Sequence, residues 1–308
     1  MLDRYNKNIY YFFMEIRVLK YFLAVAREGS ITRAANSLHL TQPTLTRQLQ
    51  DLERELKQKL LIRGKHRVSL TPEGLILRQR AEEIIEMVEK TETEFQAISD
   101  TICGDIYIGC GETDSMKYIA EIFKEIQENY PDVKFHIQSG DADDVTEKLD
   151  KGLLDFCLLI EPIDINKYEH ISLPAKDIWG VIMRKDSKLA KKESVKLDDL
   201  KNIPLINSRQ ALKKYFQKTE FSDWFQGEFE NLNTVGTSNL VYNAAIMVKS
   251  GLGYAITLDK LVNTSEESKL CFRPLSPKLE SKLYIVWKKQ HLFSRAAKLF
   301  LEKINKKF

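Results

Sequence analysis

Of the side chains in this 308-residue sequence that could work together, the best set lies in residues 30–47, SITRAANSLHLTQPTLTR. At about 100° per residue, Pro43, Thr46, Arg47, Gln50 and Arg54 share one side of a helix that is polar at its start and basic further on. Gln and Arg make paired hydrogen bonds to base edges, Thr bonds bases or phosphates, and helix N-terminal amides hold phosphate. The chemistry expected here is reading of a DNA major groove. No catalytic constellation competes with it. His39, His66, His136, His170 and His291 are dispersed, and Cys103, Cys110, Cys157 and Cys271 show no CxxC or Cys/His spacing, so no metal site is expected. No Ser/His/Asp elbow, phosphate loop or GxGxxG occurs, so neither an enzyme nor a cofactor is expected. Cys110, Cys157 and Cys271 fall in strand-like runs and read as inert core thiols rather than redox sensors.

The elements that position this face are legible locally. Ser30 is a good N-cap, and Ile31, Ala34, Ala35 and Leu38 form one apolar face of a first helix. Thr41 or Gln42 caps the next helix, with Pro43 in its first turn, where a missing N–H costs nothing. Leu45, Leu49, Leu52 and Leu56 then form a leucine stripe opposite the polar face. For this window alone, the competing reading is a helical hairpin with a solvated polar side. A preceding helix over residues 15–27, with Leu19, Phe22, Leu23 and Ala26 inward and Gly29 ending it, supplies the third wall of a small core. Residues 60–63 and 67–70 flank Gly64-Lys65-His66 as a hairpin wing with a basic tip.

Charge separates this module from the next segment of the chain. The net charge is only +3, yet residues 14–71 carry eleven basic side chains against five acidic, and residues 72–100 carry eight acidic against three basic. A basic module leading into an acidic helix suits DNA binding at one end. Thr71-Pro72-Glu73 is a strong helix start, and Leu77, Ala81, Ile84, Val88, Thr91, Phe95 and Ile98 alternate steps of four and three up to about residue 99. Such a seam calls for a partner helix, and dimerisation is favoured over packing onto the chain's own body. Length and 43% hydrophobic content allow about two domains with a sizeable core. Few cysteines, no signal-peptide core and no membrane-length apolar window point to a cytoplasmic protein without membrane contact. Residues 1–13 match nothing in the rest of the chain and read as a disordered extension, with Met14 a plausible native start.

From residue 102 onward strands alternate with helices. Strands are expected at 105–110, 133–137, 155–160, 179–183, 204–206, 234–235, 254–257 and 283–287. Helices are expected at 115–129, around Val145 and Leu149, at 212–217 and 238–249, and at the end of the chain with Phe293, Ala297, Phe300 and Ile304 on one face. The fold class is α/β behind an N-terminal winged helix-turn-helix. In open α/β lobes, ligands sit at strand carboxyl ends and helix N-termini. The candidates there are Thr113, Asp114 and Ser115, then Glu161, then Asn207, Ser208 and Arg209, then Thr237, Ser238 and Asn239, and Thr257. Each alone is more often a plain helix cap than a ligand contact, and it is their recurrence at strand ends that marks the set. Glu112, Asp114 and Glu161 would place negative charge there with only Arg209 clearly opposing it, which favours a neutral or amine-bearing ligand over a dianion.

The order of a winged helix-turn-helix, a linker helix and a two-lobed α/β region resembles the LysR-type transcriptional regulators from Met14 onward. The resemblance rests on Phe22, Ser30, Ala34-Ala35, Leu38, Thr41-Gln42-Pro43, Thr46-Arg47, Leu52-Glu53, residues 60–63 and Leu70-Thr71-Pro72-Glu73-Gly74. Looser matches are Tyr130-Pro131-Asp132-Val133, Lys151-Gly152 with Asp155, and residues 249–253. It implies a periplasmic-binding-protein-like effector region with a small-molecule cleft between lobes joined by crossing strands. It also implies homodimers, commonly homotetramers, on interrupted palindromic operator DNA. Gln42, Pro43, Thr46 and Arg47 would enter the major groove and Arg63 would lie near the minor groove, unless it pairs with an acid. Lys65 and Arg67 would meet phosphates, and Ser30, Thr32, Arg33 and Thr44 complete the DNA-contact set. Two positions depart from the family pattern: Lys57 stands where glycine is usual after the recognition helix, and Ile62 replaces a common acidic residue. The expected domains are 14–72 for DNA binding, 73–101 for the linker helix and 102–308 for effector binding. A DNA recombinase and a solute-binding protein with an incidental helical domain are the rival classes. Cleavage of supercoiled DNA with Mg²⁺ would reveal the first, and failure to retard DNA the second.

Overall fold

Three helices and a wing carry the polar face in the computed structural model, which describes residues 14–64, 67–96, 102–209 and 219–308. The expected extension 1–13 and helix 212–217 lie outside the described residues. The chain forms two units, the first ending at Glu92 and the second beginning at Thr93.

In the first unit, helix α1 (Ile16–Glu28) stops at Gly29, whose φ of 58° is left-handed and costs glycine little. Ser30 caps α2 (Ile31–Ser37) by accepting the Arg33 amide. Thr41, not Gln42, caps α3 (Gln42–Glu55), accepting the Thr44 amide at 3.3 Å. Leu45, Leu49 and Leu52 are buried against Phe22, Val25, Ala34 and Ala35. Each such leucine is worth about 1.5–3 kcal/mol, against about 1 kcal/mol for a cap, so the core rather than the cap fixes which side of α3 faces out.

After α3 the chain turns through Lys57, whose φ is 53°. The Gln58 amide bonds the Glu53 carbonyl and the Lys57 amide bonds that of Arg54, a Schellman turn in which lysine takes the position glycine usually fills. Strands β1 (Leu61–Arg63) and β2 (Val68–Leu70) pair antiparallel with Leu61 opposite Leu70. The Val68 amide bonds the Gly29 carbonyl, tying the wing to the α1–α2 turn.

Helix α4 (Pro72–Gln96) starts where the Thr71 hydroxyl donates to the Lys59 carbonyl at 2.6 Å and accepts the Gly74 amide at 2.9 Å. A Cβ on Gly74 would lie 2.2 Å from the Leu60 carbonyl oxygen, so only glycine fits there. Leu77 and Ala81 are buried in the core of the first unit, with Ile84 and Ile85 packed against it. The first half of the expected heptad seam is therefore covered by the chain's own body, while Phe95 is 70% exposed.

The second unit is α/β. Its elements are β3 (Gly104–Cys110), α5 (Met116–Asn129), β4 (Val133–Ser139), α6 (Ala142–Asp150), β5 (Phe156–Ile160), β6 (Tyr168–Arg184), α7 (Leu197–Leu200) and β7 (Leu205–Ser208). They continue with α8 (Glu220–Trp224), β8 (Thr234–Ser238), α9 (Val241–Lys249), β9 (Tyr254–Leu258), β10 (Leu270–Pro274), β11 (Glu280–Lys288) and α10 (Arg295–Lys307). Among the described residues the sheet order is β4-β3-β5-β11-β6-β9-β7-β8, with β10 also on β6. β3 is parallel to β4 and β5, and β7 is parallel to β8 and β9. The long antiparallel pair β6 and β11 runs through both halves and joins two lobes.

One lobe is cored by Ile106, Phe156 and Phe300, the other by Trp179, Phe221 and Phe225. The strand expected at 179–183 is only the end of a 17-residue β6, and β10 was not expected. Among the described residues no helix is long and apolar enough to cross a membrane.

Candidate nucleic-acid interface and ligand cavity

The leucine stripe of α3 turns Gln42, Pro43, Thr44 and Arg47 to full exposure and leaves Thr46 half-buried beside them. The Thr41 and Thr44 hydroxyls lie 2.8 Å apart and Gln42 Nε2 reaches Thr46 Oγ1 at 3.5 Å, so short polar groups organise the start of the face. Among the described residues no carboxylate pairs with Arg47, whereas Arg54 is held by Asp51 at 2.8 Å. Arg47 thus offers an uncommitted guanidinium, the group suited to a guanine edge or a phosphate.

Ser30, Thr32 and Arg33 sit at the start of α2, and Arg33 donates to the Glu28 carbonyl. Arg27, Arg33, Arg67 and Arg78 line one concavity beside Gly29, with Glu28 the only acid in its lining among the described residues. Arg63 closes β1 opposite Val68, and Lys65 lies outside the described residues.

A residue named only for its place in the motif proves structural. Glu53 is buried in α3, and its carboxylate accepts the Leu60 amide at 2.9 Å, the Leu61 amide at 3.2 Å and Lys59 Nζ at 3.3 Å. Burial pushes its pKa up, but the two amides and the lysine outweigh that and hold it below the ordinary 4.5.

In the second unit a cavity of about 110 Å³ opens between the lobes at the carboxyl ends of β3, β4, β5, β7 and β8. Glu161, Asn207, Ser208, Ser238, Asn239 and Thr257 line it, as the strand-end argument expects. Thr113, Asp114, Ser115, Arg209 and Thr237 do not. The Thr113 hydroxyl caps its own turn by accepting the Ser115 amide at 3.0 Å, and the Ser115 hydroxyl donates to Asp177 at 3.2 Å. Asp114 pairs with Lys117 at 2.7 Å. Thr237 points outward from β8, which lies at the sheet edge. Arg209 crosses to the other lobe, where its Nε bonds Asp141 at 3.0 Å and its Nη2 meets Asp144 at 2.9 Å.

Glu112, expected to place negative charge near the cleft, belongs to the lining, and so does Asp141, which was not among the candidates. Asp141 follows β4 and caps α6, the same strand-end and helix-cap signal that marked the others. Glu161 accepts the Tyr284 hydroxyl at 2.6 Å and the Lys282 amide at 3.2 Å. Burial and that carboxylate raise the Tyr284 pKa to about 12. Cys110 is pushed up to about 12 mainly by burial, and Cys157 is raised for the same reason, which leaves both thiols inert. Among the described residues no group of three metal-ligating side chains occurs.

A winged helix-turn-helix with an exposed Gln-Thr-Arg face, joined to a two-lobed binding region, defines a DNA-binding regulator with an effector domain. The description "LysR substrate binding domain" matches residues 99–308, and "Bacterial regulatory helix-turn-helix protein, lysR family" matches residues 16–75. The chain belongs to the LysR family of transcriptional regulators. It is 27% identical over 297 residues to the uncharacterised HTH-type transcriptional regulator YvbU of Bacillus subtilis, covering 96% of this chain and 99% of that one. It is 26% identical over 277 residues to the Hca operon transcriptional activator HcaR of Escherichia coli, covering 90% and 92%. Full-length CbnR complexed with its target DNA superposes with a TM-score of 0.73 at 19% identity, covering 96% of this chain and 100% of that one, a likeness of fold.

Proposed function

We propose that this LysR-type regulator reads operator DNA through Gln42, Pro43, Thr44, Thr46 and Arg47 in the major groove. Ser30, Thr32, Arg33, Arg63, Lys65 and Arg67 hold the flanking backbone or the minor groove. The observation that carries this reading is the exposed face of α3, set by the buried leucines on its other side and presenting Arg47 without a carboxylate partner among the described residues. The chain acts in the cytoplasm as a homodimer, assembled further into a homotetramer, with residues 14–72 reading DNA, 73–101 as linker and 102–308 binding a small effector between the lobes. Effector binding biases two arrangements of lobes or subunits and so changes spacing or bending at the operator.

Gel retardation of the DNA upstream of its own gene tests this. A sequence-specific shift with the footprint of two half-sites is expected, and the absence of any retardation at low salt would overturn it.

A further inference from the structure

The arginines of the first unit are unevenly spread. Arg27 on α1, Arg33 on α2, Arg67 at the base of the wing and Arg78 on α4 converge on one concavity, whose described lining sets four arginines against one glutamate, a net charge of +3. Arg67 lies across the α1–α2 turn, its Nε 3.6 Å from the position a Cβ on Gly29 would take. The Val68 amide holds the wing to the same turn through the Gly29 carbonyl at 2.9 Å. The fold therefore gathers these cations from four separate stretches of chain.

Their partners within the protein are weak. Arg27 meets Glu28 at 3.6 Å, Arg33 meets the same carboxylate at 3.9 Å and Arg78 meets Glu82 at 2.9 Å, and all three arginine side chains are more than half exposed. Exposed pairs of this kind contribute little and are readily given up. Among the described residues no carboxylate pairs with Arg67. Like charges gathered in a concavity repel one another and focus a field that draws a polyanion. Guanidinium groups pair with phosphate oxygens through two parallel bonds. The concavity volume of about 530 Å³ leaves room for a run of sugar-phosphate backbone, since a water takes up only about 30 Å³. Among the described residues that line it none belongs to α3, so its occupant lies outside the groove that α3 reads.

We propose that this concavity seats the DNA backbone flanking the half-site read by α3, and that Arg27 and Arg78 contact phosphates there beside Arg33 and Arg67. This rests on the reading of the first unit as the reader of operator DNA. Phosphates carry no sequence information, so the contact adds affinity and fixes the orientation of the unit on the duplex without choosing bases. It also lengthens the stretch of DNA that each unit covers.

Anisotropy titrations of the full chain at several salt concentrations, on a duplex from the DNA upstream of its own gene and on random DNA, test it. Arg27→Gln and Arg78→Gln are each expected to lower the salt slope by about one on both DNAs, so that the loss of affinity shrinks about threefold between about 50 and 200 mM salt. Arg27→Lys and Arg78→Lys keep the charge and should restore the slope. Uncharged methylphosphonate linkages in the flank of the protected region should weaken the native chain and abolish its advantage over the glutamine variants. Should a glutamine variant fail to fold, the alanine variant, the better helix former, takes its place. Unchanged salt slopes in folded variants that retard DNA as the native chain does overturn the proposal and leave the concavity to an acidic protein surface. So does a loss of affinity that persists undiminished on the methylphosphonate duplex, which would mark the arginines as structural. Failure of the regulator reading shows separately, as a native chain that retards no DNA at low salt.

Discussion

The Glu53 carboxylate accepts the Leu60 amide at 2.9 Å, which ties the last turn of the reading helix to the first strand of the wing. The same oxygen accepts the Leu61 amide, so one side chain sets the angle at which the wing leaves α3. Glu53→Gln keeps one acceptor but loses the charge that strengthens both bonds and the contact to Lys59. A loss of about 1–3 kcal/mol is expected, read as an earlier urea transition of the DNA-binding unit at pH 7. Because the folded pKa is held below 4.5, the stability Glu53 contributes is present above that value and lost as pH falls through the folded pKa. The gap between native and variant should therefore close in acid. A gap independent of pH would show that the charge plays no part.

Lys57 yields a prediction of opposite sign. Its φ of 53° is left-handed, where a side chain costs about 1–2 kcal/mol that glycine avoids. Glycine gives back part of this through its freer unfolded state, about 0.5–1 kcal/mol. Lys57→Gly should thus stabilise the DNA-binding unit by about 0.5–1 kcal/mol, measured by the same urea titration. A destabilised variant would mean that the lysine stem packs on the wing by more than the strain it carries.

These two residues mark where sequence reading reached and where it stopped. The caps at Ser30 and Thr41, the leucine stripe and the α4 start were legible because each depends on neighbours within a turn or two. Glu53 was visible only as part of a family motif, since its partners Leu60 and Leu61 become neighbours through the Lys57 turn. Strand β6 was underestimated because residues 168–178 carry charges and Pro174 in a half-exposed run, and it is pairing with β11, more than a hundred residues away in sequence, that holds them extended. In the cavity, the strand-end rule found Glu161, Asn207, Ser238, Asn239 and Thr257, but it could not tell that Thr113 and Ser115 bond inward or that Arg209 spans the lobes. Those outcomes depend on which side of each loop faces the other lobe, and no local pattern encodes that.

Arg47 and Arg67 should separate base reading from backbone attraction. Arg47 lies on the exposed α3 face, while Arg67 lies at the base of the wing in the arginine-lined concavity. Arg47→Ala is expected to cost about 1–3 kcal/mol on the operator and much less on random DNA. Arg67→Ala should weaken binding to all sequences and reduce the salt slope by about one. Fluorescence anisotropy at several salt concentrations on both DNAs measures each. Equal losses for Arg47→Ala on operator and random DNA would remove it from base reading.

Asp177 gives a pH-dependent prediction in the second unit. It sits on β6, is 7% exposed, and accepts the Ser115 hydroxyl through Oδ1 at 3.2 Å, while Oδ2 is buried without a hydrogen-bond partner among the described residues. Burial raises its pKa above the ordinary 3.8, and bonds from Thr113 and Ser115 pull it only part of the way back. A raised folded pKa means that the fold prefers the protonated form. The favourable contribution is then full below 3.8 and lost as pH rises through the folded pKa, so at neutral pH the ionised carboxylate weakens the fold. Asp177→Asn is neutral at every pH and keeps an acceptor for Ser115. The melting temperature of the effector unit should rise in this variant at pH 7 to 8, and the gain should vanish as pH falls below 3.8. Scanning calorimetry across that range reads it directly. A variant less stable at every pH would mean that the carboxylate has a favourable partner worth more than its burial costs.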